Sequence, residues 1–263
     1  MHQHDKTITL QGIADLPIVG QRVMLKKASP DDAEFLSKWY NTKAFRRLFR
    51  LSHTRPFSVD SIAEGLVQKN NLLNTLRQIE WTVWRKQKTS DTLLPIGLVN
   101  LVDINQIHKT AELQIGIVSP DDRVAGIAVE ASFLAMEFAF KVLTLFKLHT
   151  FVYGFNHHSQ KSTVSLGFTQ EGILREQYWD PYEQKHIDLY FNGLLSREFW
   201  KNERIAKLSS RLLGRDITLQ KSVSQLPSVK MYSHNRQQLS EIKVLLSKSF
   251  SDQKQKKRET TNQ

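Results

Sequence analysis

The sequence contains no cysteine, and this absence excludes disulfide bonds, thiolate metal sites and a cysteine nucleophile. It also has no apolar run that is long and pure enough to span a bilayer. The first ten residues, "MHQHDKTITL", lack the apolar segment of a secretion signal, so we expect a cytoplasmic protein. His2 and His4 could suggest a metal, but solvated histidines are the simpler interpretation, and we expect no metal site.

Acidic residues are scarce relative to basic ones, and the imbalance is concentrated at one end of the chain. The sequence has 37 Lys and Arg against 26 Asp and Glu, a formal net charge of +11. Residues 211–263 hold 11 of those basic residues and 4 of the acidic ones, which leaves a net charge of only +4 on residues 1–210. A nucleic-acid-binding protein would need positive charge clustered on its folded part, so this distribution argues against that class. The tail near "KQKKR" could contact RNA or the ribosome, or could be a solubilising disordered end.

The apolar patterns predict one folded core, because 263 residues with a hydrophobic fraction of 40% can bury one core and an appended piece. The predicted element order is βααβββαβαββα, beginning with a strand over Val19–Lys27. Ser29 is the expected N-cap of the first helix, and Ser61-x-x-Glu64 fits a capping box at the start of the second. The long helix, from about Ala125 to Leu145, is apolar almost all round and should be buried against a sheet.

This order predicts an α+β fold, with a mostly antiparallel twisted sheet, a central parallel βαβ step and flanking helices. We divide the chain into an N-terminal extension (1–18), a folded domain (19–205) and a basic C-terminal extension (206–263) that is partly helical and then disordered. Trp81 and Trp84 are three residues apart on one strand, so they should lie on opposite faces, with at least one in the core.

The segment "DDRVAGIAVE" joins a predicted strand to the long helix, and it is a candidate anion site. A helix start offers unpaired N–H groups and the positive end of a dipole. Gly126 would allow close approach of the backbone to a phosphate, Ala128 would keep the next turn small, and Arg123 would add positive charge. The alternative is a plain helix start that needs a small residue for packing.

Two further segments, together with this turn, carry a family resemblance. The turn Arg123-x-x-Gly126-x-Ala128 resembles the pyrophosphate loop Q/R-x-x-G-x-G/A of the GNAT N-acetyltransferase superfamily. "NHHSQKSTVSLGFTQEGILREQYW" is similar to the N-x-x-S-x(7)-L-G-F-x-x-E-G-x-L-R segment of its RimJ/RimL-type branch, and "AELQI" is similar to a strand of polyamine acetyltransferases. The resemblance covers about residues 20–200 and agrees with the element order read from the apolar patterns.

The resemblance implies a GNAT fold and acetyl transfer from acetyl-CoA, as co-substrate, to a primary amine. The acceptor would be a protein N-terminus or a small amine such as a polyamine, amino sugar or antibiotic. Implied contacts to the coenzyme are made by Ile117, Val118, Arg123, Val124, Ala125, Gly126, Ile127, Ala128, Asn156 and Ser159. Similar proteins often form dimers, so a homodimer is expected.

The sequence departs from the family pattern at two places. Val124 and Ala125 stand where the loop usually carries a glycine and a basic or polar residue, so flexibility and one positive charge are lost. Thr163 stands where many members have a tyrosine that protonates the leaving thiolate, although RimL-like proteins commonly lack that tyrosine too. A GNAT-fold module that only binds CoA or a partner therefore remains the alternative to an enzyme.

The implied reaction needs a proton acceptor for the amine, N–H donors for the thioester oxygen and stabilisation of the leaving thiolate. Glu112 is the candidate general base, with a cross-strand salt bridge as the alternative. Ser159 is the candidate donor to the sulfur, and Asn156 could instead simply cap a helix. Gly116 suggests a close backbone approach or a bulge that opens the strand edge. The residues expected to contact the acceptor are Gln114 on the same strand and Tyr178 and His186 on the last hairpin.

Overall fold

The computed structural model describes residues 15–49, 51, 55–71, 77–87 and 92–220. Most of the expected N-terminal extension and the basic tail beyond residue 220 lie outside the described residues. Among the described residues no helix is long and apolar enough to cross a membrane.

One sheet forms the centre of the molecule, and its strands follow the predicted order. The strands are β1 (Ile18–Val19), β2 (Val23–Lys27), β3 (Ile79–Lys86), β4 (Leu93–Asn105), β5 (Thr110–Ile117), β6 (Lys147–Tyr153), β7 (Thr169–Asp180) and β8 (Lys185–Leu195). They lie in the spatial order β1-β2-β3-β4-β5-β6-β8-β7. The β5–β6 pair is parallel and all the other pairs are antiparallel, as the sequence predicts. The first predicted strand is in fact a short hairpin, because the chain turns between β1 and β2.

Seven α-helices flank the sheet among the described residues. They are α1 (Ala33–Asn41), α2 (Lys43–Phe49), α3 (Val59–Asn71), α4 (Ile127–Glu137), α5 (His157–Ser165), α6 (Ser196–Lys201) and α7 (Glu203–Leu213). The chain after α4 continues as a π-helical turn over Phe138–Val142, so the long predicted helix is present but changes its winding partway.

Apolar residues cover both faces of the sheet, and each face has its own cluster. Residues of α4, α6 and α7 pack with the sheet in the main core. Residues of α1, α2 and α3 form a second cluster on the other face. Trp81 belongs to the main core and Trp84 to a small cluster with Met24, and both indoles are fully buried. The predicted placement of the two tryptophans on opposite faces is therefore confirmed, and both are core residues.

The starts of two helices test the N-cap residues that the sequence predicts. Ser29 caps a 3₁₀ turn over Pro30–Asp32, where its N–H donates to Asp32 Oδ2 at 2.9 Å. The N-cap of α1 itself is Asp32, so the predicted cap belongs to this preceding turn and not to the first α-helix. The Ser61 capping box is wrong. The helix α3 begins at Val59, and the hydroxyl of Ser58 accepts from the N–H of Ser61 at 3.1 Å, which makes Ser58 the cap.

The C-terminal end of the folded part lies beyond the predicted boundary. Residue 205 falls inside α7, and Ile205, Leu213 and the following Ile217 are buried in the main core. A hydrogen bond from the N–H of Ile217 to Ser209 Oγ, at 3.2 Å, closes this segment onto the helix. The folded unit therefore includes α7, which the sequence assigned to the extension.

Candidate active site

The parallel strands β5 and β6 form a fork. They pair only over three residues, Thr110–Glu112 with Lys147–His149, and then separate. On its other side β5 stays in register with β4 from Glu112 to Ile117, without a bulge in that stretch. The opening therefore arises from divergence of the two parallel strands rather than from the expected bulge. Backbone groups of β5 beyond Glu112 are released from pairing with β6 at this point.

Alternation along β5 separates a core face from an open face, as predicted. Ala111, Leu113 and Ile117 are buried in the main core. Gly116 lies on the opposite face beneath α2, where an added Cβ would come within 2.9 Å of both Phe45 Cε2 and Phe49 Cδ2. The expectation of a close approach at Gly116 is therefore correct, and the approaching groups are two aromatic rings of α2.

Glu112 is half-buried on the open face at the base of the fork. Burial raises the pKa of its carboxyl above the ordinary 4.5, and the nearby negative charge of Asp103 raises it further. A hydrogen bond from Gln114 Nε2 to Glu112 Oε1, at 3.0 Å, partly offsets this pKa shift. No salt bridge joins Glu112 to a described residue, so the cross-strand ion pair is not what the structure contains. A carboxylate with a raised pKa is a better proton acceptor than an exposed one.

His149 pairs with Glu112 across the fork and lies on the same face. Burial lowers the pKa of its imidazole, and the positive charge of Lys147 lowers it further, while Asp103 and Glu171 act in the opposite direction. Lys147 itself is paired with Glu171 at 2.5 Å. This side of the fork therefore favours the neutral form of the imidazole next to the carboxyl group.

The turn after β5 presents unpaired backbone donors. Ser119 Oγ caps a 3₁₀ turn, and the guanidinium of Arg123 donates to the carbonyl of Ile117 at 3.3 Å. Arg123 therefore holds the turn to the end of the strand. No hydrogen bond joins the N–H groups of Val124, Ala125 or Gly126 to a described residue.

Gly126 is the N-cap of α4 and has a φ of 85°, a left-handed conformation that favours glycine. It offers no side chain to cap the helix. The turn therefore has unpaired N–H groups at a helix start among the described residues, and its binding of an anion stays a prediction. The neighbouring Ile127 is buried and its N–H donates to the carbonyl of Val124 at 3.1 Å, while Ala128 packs against the core, so these two residues form the floor of the turn.

Beneath the turn lies an ion pair that the sequence reasoning did not identify. Arg22, between β1 and β2, bonds through Nε to Glu130 Oε2 at 3.0 Å and through Nη1 to the carbonyl of Ala125 at 3.1 Å. Glu130 is fully buried in the first turn of α4. A signal for it exists, because a carboxylate inside an almost wholly apolar helix must find a buried partner.

Asn156 and Ser159 open helix α5, which follows β6. Asn156 Oδ1 accepts from the N–H of Ser159 at 3.2 Å, which confirms Asn156 as a helix cap. The hydroxyl of Ser159 is half-buried and makes no hydrogen bond to a described residue, so it stays available as a donor. Thr163, at the position of the tyrosine found in many related proteins, is buried.

The two predicted acceptor contacts on the last hairpin are not brought together. Tyr178 meets the ring of Tyr153 edge-on, at 6.0 Å between centroids, on the face of Glu112. Alternation along β8 puts His186 on the opposite face, where it is exposed and its ring contacts Trp179. Gln114 lies beside Glu112 as described, so Gln114 and Tyr178 share the open face and His186 does not.

Arg47 of α2 joins this face to the turn between β7 and β8, and sequence reasoning missed it. Its guanidinium pairs with Glu183 and lies 3.7 Å from Asp180 Oδ2, and it stacks 5.1 Å from the centroid of Phe155. Hydrogen bonds from Lys185 and then from Arg47 hold the pKa of Glu183 below its ordinary range. The helix α2 therefore contacts the open face at two places: its Phe45 and Phe49 rings lie over Gly116, and its Arg47 binds the turn between β7 and β8.

Comparison with known proteins places this geometry in a family. Residues 22–169 match the family described as "Acetyltransferase (GNAT) domain". The spermidine N(1)-acetyltransferase of Escherichia coli strain K12 is 42% identical over 83 residues, which are 32% of this chain and 44% of that enzyme. The chain thus aligns with less than half the length of that curated relative.

Solved structures show the same fold. The spermidine N-acetyltransferase from Vibrio cholerae in complex with CoA and spermine has 26% sequence identity and a TM-score of 0.57, over 67% of this chain and 97% of that one. A dodecameric structure of the Vibrio cholerae enzyme in an intermediate state has 26% identity and a TM-score of 0.56, over 69% and 98% of the two chains. The described residues contain no group of three or more His, Asp or Glu side chains arranged to hold a metal ion.

Proposed function

Because the chain belongs to the GNAT acetyltransferase family, we propose that it transfers the acetyl group of acetyl-CoA to a primary amine of a small aliphatic polyamine. The observation that carries this proposal is the fork, with the half-buried Glu112 carboxyl at its base and free N–H groups in the turn that follows the same strand. The family's acetyl-CoA supplies the acyl group, and the chain supplies the anion site and the base.

The chemistry is direct attack of the amine on the thioester carbonyl. A primary amine has a pKa of about 10, so most of it is protonated at neutral pH and must lose a proton before or during attack. Glu112 accepts that proton, directly or through water, as the new N–C bond forms. The C–S bond then breaks, and Ser159 Oγ donates to the departing sulfur. Backbone N–H groups of β5 beyond Glu112 stabilise the carbonyl oxygen.

The coenzyme contacts are assigned from the same geometry. The N–H groups of Val124, Ala125 and Gly126 bind the diphosphate, since they are unpaired at a helix start. Arg123 supports the turn through its bonds to the carbonyls of Ile117 and Val118, at 3.3 and 3.5 Å. Val124 and Ala125 replace the glycine and the basic residue that this loop usually carries. The replacements change the side chains of the loop but keep the backbone N–H groups that would bind phosphate.

A polyamine is favoured over a protein N-terminus by two observations. The matched curated relative is a spermidine acetyltransferase. In addition, the carboxylate of Asp103 lies near Glu112 at the base of the fork, and carboxylates attract a polycation. Gln114 and Tyr178 share that face and would contact the acceptor, whereas His186 would not.

Two experiments test the proposal, first a measurement of coenzyme binding and then a measurement of turnover. We expect acetyl-CoA at about 100 times its dissociation constant to raise the free energy of unfolding by about 2.7 kcal/mol, measurable as a thermal shift. A thiol-release assay over spermidine, spermine, aminoglycosides and N-terminal peptides, with mass spectrometry of products, then identifies the acceptor. Turnover with peptides alone would contradict the polyamine assignment.

Binding without turnover on any amine would support the alternative of a coenzyme-binding module, which the residues Val124 and Ala125 keep open. No binding of acetyl-CoA at millimolar concentration would contradict both interpretations. Membership of the RimJ/RimL-type branch remains a prediction.

We also propose that copies of the chain associate, because a matched relative forms a dodecamer. The strand β7 lies at the edge of the sheet and exposes Ile173, Leu174 and Trp179. A mass from light scattering equal to that of one chain would contradict this association. Ribosome contact through the basic tail is a separate hypothesis, and ribosome association that is absent, or that does not weaken with salt, would argue against it.

A further inference from the structure

The guanidinium of Arg22 is packed against the backbone of the turn before α4. Its Nη1 donates to the carbonyl of Ala125 at 3.1 Å. Its Nη2 lies beneath Gly126, where the Cβ of any other residue would come within 2.6 Å of it. This nitrogen is buried and has no hydrogen-bond partner among the described residues, so its place is set by contact with the turn.

Glu130 fixes the other side of this guanidinium. Its carboxylate is fully buried and accepts from the backbone N–H of Arg22 at 2.8 Å, from that of Val23 at 3.3 Å and from Arg22 Nε at 3.0 Å. The first turn of α4 therefore contains a negative charge close to the donors that would bind a diphosphate. Without Arg22 that charge would repel an anionic ligand and would lack its buried partner.

We propose that Arg22 is a positioning residue for the coenzyme: it fixes the turn over Val124–Gly126 through the carbonyl of Ala125, and it neutralises Glu130. Holding this carbonyl beneath the turn leaves the neighbouring N–H groups unpaired and fixed before the ligand arrives, which lowers the entropy cost of binding. The positive charge at this loop is thus supplied by Arg22 in the β1–β2 turn, about 100 residues earlier in the sequence. This inference rests on the proposed function.

A matched control exists on the same helix. Arg215 pairs with Glu137, near the C-terminal end of α4, with Nη2 2.6 Å from Glu137 Oε2. Both arginines are about a third exposed and each joins a glutamate of α4 to a segment outside it. The two pairs differ in burial, because Glu137 is partly exposed and also pairs with Lys141 at 3.1 Å. Unfolding without ligand therefore measures the structural part of each pair, and coenzyme affinity measures the positioning role.

The experiment compares Arg22→Gln, Arg22→Lys and Arg215→Gln with the unaltered full chain, by titration calorimetry with CoA and by thermal unfolding without ligand. We expect Arg22→Gln to weaken CoA binding roughly ten- to hundredfold, since a hydrogen bond to a charged group contributes about 1.5–3 kcal/mol and each 1.4 kcal/mol is tenfold. Arg22→Lys should lie between, because it keeps the charge without the forked donors. Arg215→Gln should lower the melting temperature less than Arg22→Gln, because Glu137 keeps its pair with Lys141, and should leave the CoA dissociation constant within about twofold of the unaltered chain. With an accepted amine, the KM for acetyl-CoA should rise while kcat changes little.

Three results would overturn the inference. CoA affinity within twofold of the unaltered chain in Arg22→Gln is one, and equal weakening in Arg215→Gln is another. If Arg22→Gln does not fold, Arg22→Lys carries the test, and unchanged affinity in that variant is the third. An unaltered chain that does not bind CoA would contradict the proposed function as well, whereas an unaltered chain that binds it with unaffected Arg22 variants contradicts only the positioning role.

Discussion

Glu112 is the residue on which the proposed chemistry depends most. Because the raised pKa of its carboxyl comes first from burial, the protonated form persists to higher pH than in an exposed glutamate. A general base must be ionised, so the rate should rise with pH through this raised pKa. We expect Glu112→Gln to lower kcat by a factor of about 10² to 10⁴ and to remove that rise, measured as kcat/KM against pH.

Gln114 provides the control for this assignment. Its hydrogen bond to Glu112 holds the carboxyl pKa down, so Gln114→Leu should move the rise in rate to higher pH without abolishing it. A Glu112→Gln enzyme that keeps the same pH dependence would show that another group, with His149 next in position, accepts the proton.

The same raised pKa predicts a pH dependence of stability. The folded pKa of Glu112 lies above its unfolded value, so its contribution to stability is fully present below the unfolded pKa and is lost as pH rises through the folded pKa. Glu112→Gln removes this loss. We expect the variant to gain free energy of unfolding relative to the unaltered protein as pH rises from 4 to 7, in urea denaturation. A constant difference between the two proteins would contradict the pKa shift.

Gly116 marks the point where α2 rests on the sheet. An added methyl group would lie 2.9 Å from carbon atoms of both Phe45 and Phe49, so one of the rings or the strand must move. We expect Gly116→Ala to lower the free energy of unfolding by about 1–3 kcal/mol, measured by denaturant titration. Gly172→Ala, on β7, is the control, because nothing lies within 4 Å of its added Cβ. Equal losses in the two variants would indicate a general intolerance of strand glycines to substitution.

At the scale of a single element, the start of α3 distinguishes a serine that caps the helix from a serine that lies inside it. Ser58 caps α3, while Ser61 lies inside the helix and donates its hydroxyl to the carbonyl of Ser58 at 3.0 Å. Ser58→Ala should lower the free energy of unfolding by about 1 kcal/mol, and Ser61→Ala should cost much less. Thermal unfolding of both variants checks this order, and the reverse order would restore the capping box read from the sequence.

The error at Ser61 shows why local patterns predict elements better than their ends. Ser61 has an acidic residue at the spacing of a capping box and Ser58 does not, yet the backbone places Ser58 just before the first turn and Ser61 inside it. Asn156 does cap the helix that follows β6, because its side-chain oxygen accepts from the N–H three residues further on. The face of each residue on β5 also followed from alternation alone, since that period is a property of the extended backbone.

At the scale of the whole molecule, α7 belongs to the folded unit. Leu213 and Ile217 are buried in the main core, and burying one such side chain contributes about 1.5–3 kcal/mol. A chain ending at residue 205 should therefore lose about 3–6 kcal/mol of stability, while one ending at residue 220 should keep its melting temperature. Calorimetry of both truncations checks this. Equal stability of the shorter chain would support the boundary expected from the sequence.

The contacts that sequence reasoning missed are those between distant segments. Arg22 and Glu130 are 108 residues apart, and Arg47 and Glu183 are 136 apart. No periodicity or motif links such pairs, because their meeting depends on the order of strands and on which helix covers which face. The pattern did predict the strand that carries Glu112 and the turn over Val124–Gly126 before the helix, since these follow from one strand and the helix after it.

The side chain of Leu212 lies directly below Gly126, with its Cδ2 3.1 Å from where a Cβ would stand. The helix α7 therefore packs against the turn that is proposed to bind the coenzyme, and the stability of the helix is coupled to binding at the turn. Because such coupling is reciprocal, a ligand that orders the turn must make unfolding of α7 less favourable. A crosslink that stabilises α7 must in turn raise the affinity of the turn for that ligand by the same factor.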